Sequence, residues 1–574
     1  MQAFRKKILQ TIAVVFVALL AWPSLAGAQS LPKLKPIPHP IGSPQHAPAQ
    51  AEATHALVAA ANASASSNTA ASPWTPLTNQ PTFLVDGAAN PILLTDGSVL
   101  VQDAGFPDWW KLTPDQYGNY ANGTWTEVAS TQPGYSPLYH SSAVLPDGRL
   151  IIEGGEYICD PTTFNCNAVW TAQGSIYDPV ANTWTPVAPP PFFGGCCGIG
   201  DQLIGDAESV VLPNGTYMQA DCCTTQGALL DAKTLTWTPT GTGKYDPNDE
   251  EGWNLLPNGL VLDVDAYVPI APFPYIPNGQ NYELYNPKTG DWHVAGTTPV
   301  QLWDSWLTCG EMSDEPTNGP TFELGPAVLR PDGTVFYMGS NTCPDPSTAS
   351  GFASGHTAIY NSYTNTWKAG PDFPGGINIA DGPASLETNG KVLMFASPAY
   401  GAPPSTFLEW DGRNLNIVPG TPNAPIDGSY FGNMLMLPNG QILFTDFSDD
   451  IELYTPTPGH PQNTVPFVLF TPIFLTGGQS YEIFGFGFNG VSQGAFYGDD
   501  VQGATNYPLV RITNLITGHV QYSRTHDHSS MAVASPELVS THFDVPANQE
   551  PGISKLEVVA NGVASDPVFV FVGR

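Results

Sequence analysis

One phrase recurs seven times along this chain: an apolar run, then Asp-Gly or Asn-Gly led by Pro or Thr, then a second apolar run. The copies are PILLTDGSVLVQDAG (91–105), SAVLPDGRLIIEGG (142–155), SVVLPNGTYMQA (209–220), NLLPNGLVLDVDA (254–266), AVLRPDGTVFYMG (327–339), SLETNGKVLMFA (385–396) and MLMLPNGQILFTD (434–446). Successive Asp or Asn positions (96, 147, 214, 258, 332, 389 and 439) lie 51, 67, 44, 74, 57 and 50 residues apart. Asp-Gly or Asn-Gly between alternating apolar runs predicts a β-hairpin, here with a type I′ turn whose central positions both take positive φ.

A second element follows most hairpins: a short strand, a polar turn and a Thr-Trp strand or a variant of it. It carries Trp125, Trp184, Trp237, Trp292 and Trp367, is degenerate in FLEWDGRNLNIV, and in the seventh copy stops at IELYTPTP (451–458). The missing strand stands at the other end, where SPWTPLTNQP places Trp74 before the first hairpin. The N-terminal strand is therefore expected to complete the last unit. Four strands per unit, about 50 residues per unit and a swapped closure describe a β-propeller.

The Asp-Gly hairpin, Gly154-Gly155 after a second strand and the Tyr…Thr-Trp pair resemble kelch repeats. The whole of 73–574 is similar to the galactose oxidase and glyoxal oxidase group. The resemblance implies an all-β chain: a seven-bladed kelch propeller over 73–460, then an immunoglobulin-like early-set sandwich over 461–574. The latter is expected to use FVLFTPIFL, SYEIFGFGF, LVRITNL, MAVASP, SKLEVVA and FVFVGR as strands. A kelch signature specifies fold and not activity.

The start of the chain reads as an export signal over 1–28. Arg5, Lys6 and Lys7 precede the apolar stretch Ile8–Trp22, and Ala26-Gly27-Ala28 offers a small-x-small cleavage pattern. Residues 29–72, rich in Ala, Pro and Ser, read as a linker. The product is expected to be secreted or periplasmic, with no membrane span after cleavage. Eight cysteines in an exported chain predict disulfides: Cys159 with Cys166, Cys309 with Cys343, and the pairs Cys196-Cys197 and Cys222-Cys223 bridging each other. Charge narrows the partners further. Lys plus Arg number 18 against 51 Asp plus Glu, a net charge of -33, which disfavours nucleic acid and anionic membranes.

Propeller ligands bind at the axial mouth, on loops that enter the innermost strands. Counting back from each Asp/Asn-Gly brings Tyr139-His140-Ser141, Asp206 and Glu208, Asp249, Glu250 and Glu251, Glu323, Asp381, and Tyr430 with Asn433 to equivalent positions. A ring of carboxylates around one Tyr-His pair suits acid-base work, sugar hydroxyls or a hard cation such as calcium. Tyr139-His140-Ser141 resembles the copper-binding Tyr-His-Ser of the copper-radical oxidases. That family also needs a second tyrosine cross-linked to cysteine and a histidine from the C-terminal domain. THDHSSMAV (525–533) aligns just after that histidine and puts Tyr522 in its place, whereas a shifted alignment recruits His526 or His528. The standard copper-radical site is thus incomplete. The leading expectation is a carbohydrate-directed protein that recognises a glycan, a small polar substrate or a cation at an acidic axial mouth. The alternatives are a divergent copper-dependent alcohol or aldehyde oxidase and an extracellular protein-interaction scaffold.

Overall fold

A computed structural model describes residues 72–160, 165–194, 203–222, 224–248, 250–266, 280–303, 323–341, 343–398, 401–498 and 503–573. The signal, nearly all of the linker, Asp249, Cys196, Cys197, Cys223 and Cys309 lie outside the described residues.

Each of the seven repeats contributes four antiparallel strands to a sheet, and the sheet of the sixth repeat gains two further strands. Sheet 1 takes Ala88–Leu93, Val99–Asp103, Trp109–Thr113 and Thr124–Glu127 in spatial order, and sheet 2 takes Ser141–Val144, Leu150–Glu153, Gly174–Asp178 and Thr183–Val187. Sheets 3 to 6 follow with first strands Ser209–Val211, Asn254–Leu255, Ala327–Leu329 and Ala384–Leu386. Sheet 7 comprises Asn433–Met436, Ile442–Thr445 and Glu452–Tyr454, with Trp74–Pro76 as its fourth strand. There Trp74 pairs with Tyr454 and Pro76 with Glu452. The first strands of sheets 2 and 3, 4 and 5, 5 and 6, 6 and 7, and 7 and 1 lie side by side. The first and second strands are almost wholly buried, whereas the fourth alternate or face water. The architecture is all-β and propeller-like.

The turn chemistry differs from the expected type I′. In all seven hairpins the Gly N–H donates to the carbonyl three residues back, as from Gly97 to Leu94 and Gly148 to Leu145. Only the glycine is left-handed, with φ from 78° to 87°, and none of the seven Asp or Asn residues has positive φ. This is a type I turn closed by a left-handed glycine. Proline explains it: Pro146, Pro213, Pro257, Pro331 and Pro438 hold φ near -65°, which suits the first central position of a type I turn and is forbidden in type I′. The Asp or Asn side chain then accepts the N–H two residues on, for example Arg149 N to Asp147 Oδ1 at 3.1 Å.

The repeated tryptophans have a common task. Trp184 Nε1 donates to Ala129 O at 2.7 Å, Trp237 to Ala188 O at 2.7 Å, Trp125 to Asn79 O at 2.9 Å and Trp74 to Pro419 O at 2.6 Å. Each of these four indoles thereby reaches the backbone that leaves the preceding sheet. The tyrosine of each pair packs on the same ring, with Tyr177–Trp184 and Tyr360–Trp367 centroids both 5.0 Å apart.

From Phe467 to Gly573 the chain forms one curled sheet ordered Phe467–Phe470, Ser480–Phe486, Val539–Asp544, Val520–His526, Leu509–Asn514, Gly552–Ala560, Val568–Gly573 and Phe474–Thr476. Its core contains Ile483, Val510, Ile512, Phe543 and Val558. MAVASP is not a strand; Val539–Asp544 takes that place, alternating buried and half-buried residues. Among the described residues no helix is long and apolar enough to cross a membrane.

Candidate functional site

The loops entering the first strands converge on a segment that sequence reasoning did not single out. Residues 485–503 contain six glycines, at 485, 487, 490, 494, 498 and 503. This low side-chain bulk lets the backbone run between the first strands. Ala495–Phe496 pairs with Ala384–Leu386 of sheet 6, and Gln493 Oε1 accepts Leu255 N of sheet 4 at 2.8 Å. A Cβ on Gly252 would stand 2.6 Å from Gly498 O, so the sheet 4 loop must be glycine there. Tyr497 donates its hydroxyl to Tyr430 O at 2.7 Å and lays its ring 5.9 Å from that of Tyr139. The finger therefore touches the loops of sheets 2, 4, 6 and 7.

Tyr139, Tyr157, Tyr430 and Tyr497 are buried together around this tip. Tyr139 has φ 51°, a conformation rare for a bulky residue, and is held by Glu156 N–H donating to its carbonyl at 3.1 Å. Burial, then Tyr430, Glu156 and Asp381, push the Tyr139 hydroxyl well above its ordinary range. At the rim Phe431 and Phe447 are half-buried, their rings 5.6 Å apart, and Phe447 lies 6.0 Å from Tyr139. Asp381 and Asp427 are half-buried and act on the Tyr139 and Tyr430 hydroxyls. Burial and then Asp446 lift Asp427 to about 9.

His140 is 1% exposed and faces protein on both sides: Nε2 stands 3.0 Å from Gln102 Oε1 and Nδ1 3.2 Å from Ser141 O. Burial lowers its pKa to about 4, so the ring is neutral at pH 7. His528 is buried with Nδ1 2.8 Å from Thr541 Oγ1, and its N–H donates to Pro146 O in the sheet 2 hairpin turn. Its pKa falls to about 3 through burial and then His526. Pro146 is six residues along the strand from His140, or about 20 Å at ~3.3 Å per residue. His526 contacts Asp527 and Asp544. The expected joining of His526 or His528 to Tyr139 and His140 is therefore corrected: they occupy opposite ends of sheet 2. Tyr522 is buried against Arg511 at the same far end, opposite Arg511 in the strand register. These donors do not fit the copper-radical site.

The acids expected to ring the Tyr139-His140 pair are mostly buried. Asp206, Glu208, Glu251 and Glu323 are buried, and Glu250 is half-buried with φ 61°. Glu251 joins a closed cluster on sheet 4 that the sequence did not reveal. Lys244 Nζ lies 2.9 Å from Asp246, 2.8 Å from Glu251, 3.1 Å from Asp263 and 3.0 Å from Glu283, with every one of these side chains at most 1% exposed. Burial opposes the Lys244 charge, but the carboxylates outweigh it and raise its pKa. Burial, then Asp246 and Asp263, raise Glu251 well above the carboxylate range, and burial, then Asp246, lifts Asp265 to about 9. Asp263 and Glu283 are cross-strand partners, which brings them to one face of the sheet; nothing in their sequence spacing announces it.

Cys159 is bonded to Cys166, and Cys343 is also in a disulfide. Cys222 is buried.

The acids outside the Lys244 cluster set a pH dependence. Burial is the main cause that lifts Asp427 to about 9, Glu452 to about 9 and Glu387 to about 8, seconded by Asp446, Asp450 and Glu409 respectively. The folded state then binds protons that the unfolded chain releases near its ordinary 3.8 or 4.5. Their stabilisation is complete below about pH 4 and is lost as pH rises towards 8 to 9. Thermal midpoints should fall between pH 5 and pH 9, and less steeply in Asp427→Asn; a midpoint that rises over this range contradicts the assignment.

No family model matches the chain. It is 27% identical over 144 residues to the Kelch-like protein terF of Aspergillus terreus, a match covering 24% of this chain and 26% of that protein. The chain thus spans about a quarter of the relative's length. Similar solved structures include a streptogramin B lyase, with TM-score 0.40 and 12% identity over 66% of this chain and 96% of the lyase. Another is virginiamycin B lyase from Staphylococcus aureus, with TM-score 0.41 and 11% identity over 67% and 98%. The match and the sheet arrangement support a kelch-type, propeller-like β-protein.

Proposed function

We propose that this chain is an exported, carbohydrate-directed binding protein. Its seven sheets over 73–460 are read as the blades of a galactose oxidase-like kelch propeller, and 461–574 as the early-set immunoglobulin-like domain. The observation that carries the binding reading is the rim of the finger tip. There the half-buried rings of Phe431 and Phe447 pack against Tyr430 and Tyr139, whose hydroxyls feel the Asp427 and Asp381 carboxyls. Sugars stack on ring faces and exchange hydrogen bonds with carboxyl groups, ionised or protonated. Glycan-array screening of the mature protein should give specific binders. Phe447→Ala should weaken them roughly tenfold, the loss of about one aromatic contact. Array-wide silence, or unchanged affinity in Phe447→Ala, removes the reading.

The oxidase alternative fares differently, because His140 and His528 are committed to protein contacts at opposite ends of sheet 2. Copper-loaded protein is expected to produce no hydrogen peroxide from primary alcohols or aldehydes. About one copper per chain, lost together with peroxide production in His140→Ala, would restore that alternative.

A scaffold reading is favoured by one separate feature. Phe467, Phe470, Phe474 and Phe569 are each more than half exposed on the C-terminal sheet, at strand positions where water-facing residues are ordinarily polar. In that case Phe474→Ser with Phe569→Ser abolishes partner retention while leaving the axial end intact.

A further inference from the structure

We propose that Asp246, Glu251 and Asp265 form a calcium site where the 244–251 loop meets the end of the second strand of sheet 4. Oxygens of the three carboxylates all lie within 4.8 Å of one another. A cation bound at 2.3–2.6 Å from each oxygen needs that spacing. The local fold brings them together: Asn254 pairs with Leu262, so Glu251 faces Asp265 across the strand pair, and Glu251 Oε1 accepts Ala266 N at 2.7 Å. Asp246 comes from the same loop and is tied back through Lys244.

Asp265 supplies the independent sign of a ligand. It is 0% exposed, and among the described residues neither of its carboxylate oxygens accepts a hydrogen bond. A buried carboxylate left in this state is costly unless a cation or a proton balances it. The neighbourhood is short of positive charge: Lys244 is surrounded by Asp246, Glu251, Asp263 and Glu283, and Glu208 joins Glu251 and Asp263 in a second trio within 4.8 Å. The donor set is all oxygen, without histidine or cysteine, which selects a hard cation over zinc or copper. Calcium is favoured over magnesium, because magnesium retains several waters and seldom uses a buried cage of protein carboxylates. The site does not rest on the glycan reading.

The test uses mature protein stripped with EDTA and reloaded, with calcium read by equilibrium dialysis and terbium by luminescence. Terbium would be excited through Trp292, whose ring lies 5.7 Å from Lys244 Nζ. Wild type should hold at least one calcium per chain and gain thermal stability from it. Asp265→Asn should lose at least about tenfold in affinity as one charged ligand disappears, whereas Glu208→Gln, outside the trio, should retain binding. Absence of binding in wild type at about 1 mM calcium, the weak end for extracellular modules, overturns the proposal. So does an Asp265→Asn protein that binds as tightly as wild type. Should Asp265→Asn fail to fold, Asp246→Asn and the wild-type stoichiometry decide.

Discussion

Trp74→Ala is expected to lower stability by about 3 to 5 kcal/mol, the usual cost of emptying a large buried aromatic site. Trp74 is 8% exposed and packs on Phe407, Tyr454 and Phe444 with ring centroids 4.6, 5.1 and 5.9 Å away. Its indole N–H also holds Pro419 O, so truncation strands a carbonyl as well as opening a cavity. The strand it anchors joins the start of the described chain to sheet 7, and its loss loosens sheet 7 from both sheet 6 and sheet 1. Denaturant midpoints of Trp74→Ala and Trp125→Ala provide the comparison. Trp125 repeats the same indole-to-carbonyl bond from a half-buried position, so its truncation should cost less. Equal midpoints would show that closure does not depend on Trp74.

Lys244→Met should be comparably severe, about 3 to 5 kcal/mol, because it removes the cation from a buried ion cluster while leaving its carboxylates. Four carboxylates lie within 3.1 Å of Nζ, and none has solvent to replace the lost charge. Arg149→Ala makes the control. The Arg149–Asp147 pair at 2.7 Å is partly exposed, with side chains 25% and 32% accessible, and such pairs contribute roughly 0 to 1 kcal/mol. Chemical denaturation of both variants at pH 7 measures the difference. A Lys244→Met protein as stable as wild type would mean that the carboxylates do not need the ammonium.

The seven hairpins and the Trp74 closure were legible because their signals are local or repeat in register. A glycine that must take positive φ, and an indole that recurs after each hairpin, announce themselves in a short window. Even there one signal was underweighted: the proline before five of the Asp/Asn-Gly pairs already excluded type I′. Around the finger the loops come from hairpins far apart in the chain. Tyr139, Asp381 and Tyr430 lie around its tip. Counting could not say which way each neighbour turns. Glu251 points into the Lys244 cluster, and His140 is enclosed by Gln102, 38 residues away.

The sequence alone determined the seven hairpin sheets, their four-strand order and the closing strand, because dihedral preference and strand periodicity act over a few residues. Only the tertiary structure decided that Tyr497 on a glycine-rich finger packs against Tyr139 and Tyr430, that His526 and His528 lie at the far end from His140, and that Lys244 gathers carboxylates from a loop and two strands. Those arrangements depend on which side chains the sheets bring face to face across tens to hundreds of residues, and no short-range preference encodes that choice.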